Sequence, residues 1–563
     1  MKSYFNRYLI TIALFLVVSL LGAASLPMEY QKVLKRMTLE EKVGQMLLLG
    51  IPGTNFNATA KEVVADLKAG GLVLFAANLT SIDQAREFTS ALQATAMKTK
   101  WQIPLLITAD EEGGVVSRMP YGMVTTPGNM ALGATGDKDL VKKAYYHAGR
   151  QLRALGINMN LAPSLDVNNN PQNPVIGVRS FGSDPYWVSE FGIAALDGLE
   201  AANVGSIVKH FPGHGDTGTD SHYSLPIVNK SRAEIDKTEL YPFKKALENG
   251  AKAVMTAHIE FPALTEGKKI PATLSSEILT DVLREDWNFN GVVSTDDLVM
   301  KAITNNFGFR EAVVMAVKSG VDQVLIAGDI NNQRVAKQAI IDAVKKGEIS
   351  EERINQSVER ILALKAQLGL KKGQVPKLLD AKKEAADAYK VALEVGLNSI
   401  TMIKDDGRLL KSGDKVLLAV VDNNLMGAGG RNGTKVSAFL KSELQSKGYK
   451  VDMVALSSKP TVSERDAVLR AAKDCDVVVL LTRNANTAQG QLALSLTGKP
   501  LITVAQQNPY DILRYPETKV HLLTYGYTEA SIRALAAILA GEKVPVGKLP
   551  VTVSKTYTFG YKK

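Results

Sequence analysis

The chain has 563 residues, 45% of them apolar and 22% charged, the balance of a folded protein and not of a linker or a charged tail. Single cores stop growing near roughly 250 to 300 residues, so two domains are expected. The formal charge of +10 is spread over many lysines without a long basic run, which argues against nucleic acid as a partner, and the one cysteine, Cys475, excludes an intramolecular disulfide.

In chain order, the first stretch is MKSYFNRYLITIALFLVVSLLGAASLP, with Lys2 and Arg7 ahead of an apolar run from Tyr8 to Leu21. The run closes on the small residues Gly22, Ala23, Ala24 and Ser25, which is the layout of a secretory signal peptide over residues 1–25. The alternative is an uncleaved anchor helix, for which the run is short against the roughly 20 residues of a span. No cysteine stands beside the small residues, so a lipoprotein anchor is excluded. The protein is expected to be exported, periplasmic or extracellular, with no stable membrane span after leader cleavage.

Next, short apolar and β-branched runs alternate with segments of helical period. The runs are VGQMLLLGI, GGLVLFA, IPLLITAD, INMNLAPSLDV, GSIVKHF, AKAVMTAHI, GVVSTDD and VDQVLIAGD. Between them lie segments such as TAKEVVADLKAG and SRAEIDKTELYPFKKALENG, apolar at three-and-four spacing and ending in glycine. This alternation predicts an α/β fold with a TIM (β/α)₈-like barrel over residues 26–370, an open doubly wound sheet being the alternative. The stretch LKKGQVPKLL breaks the pattern, and a linker with a connecting helix is expected over 371–390. The runs KVLLAVVD, KVDMVAL, DVVVLLT, PLITVAQ and KVHLLTYG then predict a smaller α/β sandwich domain with a mostly parallel sheet over 391–563.

In a parallel barrel the chemistry sits at the C-terminal strand ends. Polar clusters fall there: ADEEGG, NPVIGVRSFG, KHFPGHGDTGTDSH, AHIE and STDDL. Asp296 and Asp297 close a buried-looking strand, where a carboxylate is costly unless solvated, paired or functional; capping the next helix is the competing role. The stretch KHFPGHGDTGTDSHYSLP holds three of the six histidines. His210, His214, Asp216, Asp220 and His222 could nominally hold zinc, yet prolines and glycines make this a pinned loop and no HExxH pattern occurs. The Asp220-Ser221-His222 triplet suits an acid/base pair, since a carboxylate fixes an imidazole's tautomer and stabilises its charged form. His258 in TAH faces the same mouth, as core or as a contact. In the second domain, DNNLMGAGGRNG is similar to a phosphate loop but carries Asn432 where the third glycine of GxGxxG would stand, so a turn-forming loop is the simpler reading.

The long histidine stretch resembles the signature of family 3 glycoside hydrolases, in the β-N-acetylglucosaminidase branch of exported two-domain enzymes. DEEGG, NPVIGVRSFG, STDDLVM, QNPYDI, TYGYT and GKLPVTV add weaker matches over nearly the whole chain after the leader. The resemblance implies Asp296 as the nucleophile of a retaining mechanism, His222 as acid/base and Asp220 as its partner. It implies Asp110, Arg179, Lys209 and His210 as residues that hold the sugar hydroxyls, with His214 structural. Where the family usually has EGGRV, Val115 replaces the arginine, and Arg118 remains nearby. The implied substrate is a β-linked N-acetylglucosaminide of cell-wall fragments or chitooligosaccharides, with no metal or other cofactor and a monomer favoured. A β-glucosidase or β-xylosidase of the same family, and a phosphorolytic enzyme, are the alternatives. Phosphorolysis is conceivable because an imidazole in place of a carboxylate removes a negative charge facing the acceptor.

Overall fold

The computed structural model describes residues 26–221 and 223–563, so the expected leader over 1–25 and His222 lie outside the described residues. Nine short strands come first: β1 (Leu47–Gly50), β2 (Gly71–Val73), β3 (Leu106–Ala109), β4 (Met159–Asn160), β5 (Gly205–Ser206), β6 (Val208–Phe211), β7 (Ala253–Thr256), β8 (Val292–Thr295) and β9 (Val324–Ile326). Nearly all their residues are buried, as expected where helices cover the outside of a parallel sheet and side chains fill its inside.

These strands form two parallel arcs, ordered β5-β4-β3-β2-β1-β9 and β6-β7-β8. On one side β5 runs into β6 through Ile207 as a single interrupted strand. On the other, β8 and β9 meet at the bridge Ser294–Gln323, where the Thr295 N–H donates to the Gln323 carbonyl at 3.0 Å. At that seam the Leu325 N–H goes to the Thr295 hydroxyl at 2.9 Å, so a side chain takes a place in the ladder. Counting β5 and β6 as one, the ring has the eight positions of a (β/α)₈ barrel.

Outer helices begin where the sequence supplies caps: Asp137 caps Lys138–Ala154, and Asp184 caps Pro185–Ala201. The segment SRAEIDKTELYPFKKALENG is two helices, Arg232–Lys237 and Leu240–Glu248, where periodicity alone suggested one. Pro242 lacks an N–H to donate to the carbonyl four residues back, so the first helix ends and a second starts.

A second sheet contains β10 (Thr401–Asp405), β11 (Lys415–Val421), β12 (Lys450–Leu456), β13 (Val477–Thr482), β14 (Leu501–Ala505) and β15 (Val520–Leu523). Its order is β10-β15-β14-β13-β11-β12, all parallel except β10, which runs antiparallel to β15. Strands β11 to β15 are the five expected runs; β10, whose Lys404 and Asp405 interrupt the apolar pattern, was not anticipated. Helix Ala381–Ser399, capped by Asp380, packs on helix Lys138–Ala154 of the barrel and on helix Glu529–Leu539 of the second sheet. A bidentate Arg150–Glu384 pair at 2.6 and 3.1 Å ties it to the barrel. Among the described residues, no helix is long and apolar enough to cross a membrane.

Candidate active site

The loop after β3 carries Asp110, Glu111 and Glu112 in succession. Asn160, at the end of β4, grips Glu111 on both backbone sides, accepting its N–H and donating to its carbonyl, each at 2.9 Å. Gly113, at φ +80°, then turns the chain where a Cβ would lie 2.3 Å from the Thr126 hydroxyl. This turn directs the Asp110 and Glu112 carboxylates toward β6. There Lys209, only 2% exposed, reaches Asp110 Oδ1 and Glu112 Oε1, each at 2.7 Å. Arg179, from the loop after β4, clasps Glu112 through Nε at 2.9 Å and Nη2 at 2.8 Å. Arg118 closes the chain on Asp110 Oδ2 at 3.3 Å.

Three cations thus meet two carboxylates in a nearly dry site. Burial opposes ionisation of both carboxyls, but Lys209 with Arg118 outweighs it at Asp110, and Arg179 with Lys209 at Glu112. Both are held below the ordinary carboxylate range. Burial likewise works against the Lys209 ammonium, and Asp110 with Glu112 raises it above its usual value. Such pairs contribute little by existing and cost much when one partner is removed.

A second cluster centres on Asp166, which is fully buried after β4. Its Oδ2 lies 2.7 Å from His210 Nδ1, and its Oδ1 accepts the N–H groups of His210 at 3.2 Å and His214 at 2.6 Å. Burial opposes its charge, but the two histidines hold it below the usual range. His210 therefore has one ring nitrogen fixed, and its Nε2 lies 3.4 Å from Arg179 Nη2. The His214 ring is buried between the Thr217 hydroxyl at 2.7 Å and the Ser221 hydroxyl at 3.2 Å. Burial first, then neighbouring His210, lowers its pKa to about 4, so it is neutral at pH 7. Asn173 adds bonds to the His214 and Gly215 carbonyls at 2.8 and 3.0 Å. Several hydrogen bonds thus anchor the loop as far as Ser221, and the Asp220 carbonyl accepts the N–H groups of Tyr223 and Ser224.

Asp296 stands immediately after β8, and its Oδ1 accepts the Asp297 N–H at 2.8 Å. Burial opposes its ionisation, yet His258, His210, that N–H and Lys209 together keep it below the usual carboxylate value. Asp296 is thus an ionised, half-buried carboxylate within the electrostatic reach of the β6 residues. Asp297 caps: its Oδ1 accepts the Val299 and Ala327 N–H groups at 3.2 and 3.1 Å. His258 lies beneath, with Nδ1 2.8 Å from the Thr273 hydroxyl and Nε2 donating to the Asp297 carbonyl at 3.0 Å.

Asp110, Arg179, Lys209 and His210 are therefore brought together by direct contacts, and Asp296 is coupled to them by charge. His222 falls outside the described residues, with Asp220 on the same loop. Glu112 and Asp166 were not singled out, although both organise the cluster. Among the described residues no group of three or more His, Cys, Asp and Glu is arranged to hold a metal ion. The second domain also borders the mouth: Asn168 donates to the Tyr510 hydroxyl at 3.1 Å, and Gly177 lies against Asn508 of QNPYDI.

The chain is similar to known proteins along most of its length. A model described as the glycosyl hydrolase family 3 N terminal domain matches residues 38–364. The chain is 32% identical over 554 residues to beta-hexosaminidase A of Pseudoalteromonas piscicida, covering 88% of this chain and 90% of the relative. It is 29% identical over 546 residues to a beta-N-acetylglucosaminidase/beta-glucosidase of Cellulomonas fimi, covering 92% and 94%. A solved family 3 β-N-acetylglucosaminidase from Paenibacillus sp. str. FPU-7 superposes with a TM-score of 0.86 at 38% identity, covering 92% of this chain and 99% of that one. With these matches along most of its length, the chain belongs to glycosyl hydrolase family 3.

Proposed function

We propose that the protein is an exported, retaining exo-β-N-acetylglucosaminidase that removes terminal β-linked N-acetylglucosamine from cell-wall fragments or chitooligosaccharides. The observation that carries this reading is the ionised carboxylate of Asp296 at the end of β8, beside the Asp110–Lys209–Glu112–Arg179 cluster. The names of the relatives from Pseudoalteromonas and Paenibacillus support the sugar.

In this reading Asp110, Arg179, Lys209 and His210 hold the sugar hydroxyls, and Arg179 and Lys209 do so through charge-assisted hydrogen bonds that strengthen toward the transition state. Asp296 attacks the anomeric carbon as a carboxylate, so no proton must leave before the bond forms. His222 protonates the departing oxygen, then takes the proton of the water that releases the sugar, while Asp220 orients its ring and stabilises the imidazolium. An imidazole, with a reference pKa of about 6.5, is available in either state near neutrality.

Cleavage of an aryl β-N-acetylglucosaminide with the β-anomer as first product is the expected result, and purified cell-wall fragments against chitobiose ranks the natural substrates. An α-anomer as first product would overturn the retaining reading. A glucosidase is the second reading, favoured by the double name of the Cellulomonas relative. A higher kcat/KM on the aryl glucoside would select it, and a sugar 1-phosphate formed in phosphate buffer would select phosphorolysis.

A further inference from the structure

The glycine-rich loop after β11 contacts the barrel at the loops that follow β2 and β3. Gly427, at φ +61°, lies so near Thr125 that a Cβ there would be 2.1 Å from its hydroxyl. The next residue, Ala428, donates its N–H to Thr125 Oγ1 at 3.0 Å. Thr125 Oγ1 is 2.9 Å from Ser117 Oγ, and Ser117 Oγ donates to Glu111 Oε2 at 2.7 Å. Since Ser117 spends its proton on Glu111 and Ala428 supplies one to Thr125, Thr125 is the donor to Ser117. The bonds therefore run in one direction, from the second domain to Glu111.

Glu111 Oε2 also accepts the Arg118 N–H at 2.8 Å, and Arg118 is the residue whose guanidinium pairs with Asp110. From the same glycine-rich loop, Arg431 donates through Nε to the Met119 carbonyl at 3.0 Å and through Nη1 to the Ala76 carbonyl at 3.2 Å. One guanidinium thus fixes the spacing between the loops after β2 and β3. A glycine loop that is fastened to protein on this scale is a docking device, which accounts for its sequence without a phosphate.

We propose that this loop is a clasp that positions the sugar-binding end of the barrel: Arg431 and the Ala428–Thr125–Ser117–Glu111 relay hold Arg118, and through it Asp110, in place. Arg431 and Thr125 are positioning residues, since neither bonds to the Asp110 carboxylate itself. The inference rests on the reading of Asp110 as a residue that holds the sugar. Loosening the clasp weakens ground-state and transition-state binding alike, which raises KM and spares kcat.

The test uses the full chain and an aryl β-N-acetylglucosaminide, with Arg431→Ala and Thr125→Val set against the conservative Arg431→Lys and Thr125→Ser. Thermal melting shows which variants are folded, and the Thr125 pair carries the test should Arg431→Ala fail to fold. The expected result is a rise in KM of about five- to twentyfold in each disruptive variant with kcat within about threefold, and recovery of at least about half that loss in the conservative ones. A KM within about twofold of wild type, a fall in kcat alone, or no recovery in the conservative variants would overturn the clasp. Asp110→Asn is the control: an unchanged KM there counts against the sugar-binding reading and leaves the clasp to be judged by its own variants.

Discussion

Two glycine-rich loops border the barrel mouth, and they are fastened by different means. The loop from Lys209 to Ser224 is fixed by charge: Lys209 by two carboxylates, and the His210 and His214 backbone by Asp166. The loop from Leu425 to Gly433 is fixed by hydrogen bonds to a hydroxyl and to carbonyls: the Ala428 N–H on Thr125, and the Arg431 guanidinium on two carbonyls. Ion pairs set the protonation and electrostatics of the groups they join, whereas hydrogen bonds to hydroxyl and carbonyl oxygens chiefly set distance. Changes in the first loop and its partners should strike the chemistry, and changes in the second should strike affinity.

The largest expected effect is at the nucleophile, where Asp296→Ala should lower kcat/KM on an aryl N-acetylglucosaminide by about 10⁴-fold or more, with unchanged thermal stability. Next, His222→Ala should cost about 10² to 10⁴-fold on a poor leaving group such as a second sugar, and under about tenfold in kcat/KM on an activated aryl glycoside. Equal losses on both substrates would remove His222 from the role of acid.

Third comes the buried cluster. Lys209→Met leaves Asp110 and Glu112 without their shared cation, and should cost about 3 to 5 kcal/mol of stability by denaturant unfolding. The clasp variants should stay closer to wild-type stability, which separates the ion-paired anchor from the hydrogen-bonded one.

The smallest effect concerns pH. Glu111 is raised to about 7 by burial, so the folded state keeps a proton that the unfolded chain releases near 4.5. Its cost to stability therefore grows from about pH 4.5 to 7 and is complete above 7. Glutamine can accept the same Ser117 and Arg118 bonds, so Glu111→Gln should raise stability by about 3 kcal/mol at pH 8 and leave it unchanged near pH 4. Asp110, Glu112 and Asp166 have the opposite sign: their values are depressed, so they stabilise the fold above about pH 4, and that support is lost as pH falls below it. A wild-type melting temperature that rises on acidification below pH 4 would contradict this assignment.

The difference between the two loops also governs what could be read from sequence. The parallel strands of both domains were legible, because buried strands such as VVVLLT and helices such as AKKEAADAYKVALEVGLNS carry their period locally. Strand β10 was not, since its polar end and antiparallel pairing depend on β15, far along the chain. At the site, STDDL and the histidine stretch announced themselves as polar residues where burial would be expensive. Glu112 and Asp166 did not, because their importance lies in partners brought by other strands: Arg179, Lys209 and His210. The clasp was the least legible feature, since Ala428 and Thr125 are 303 residues apart and an alanine N–H carries no compositional signal.

The most direct measurement of the central claim is capture of the sugar on Asp296. His222→Ala, quenched in acid during turnover of an activated aryl N-acetylglucosaminide, should accumulate a covalent intermediate, because the first step no longer needs an acid while the second still needs a base. Intact-mass and peptide-mass spectrometry should find one N-acetylglucosaminyl unit, attached at Asp296. An adduct on another residue, or an equal adduct in a His222→Ala/Asp296→Ala double variant, would contradict the account.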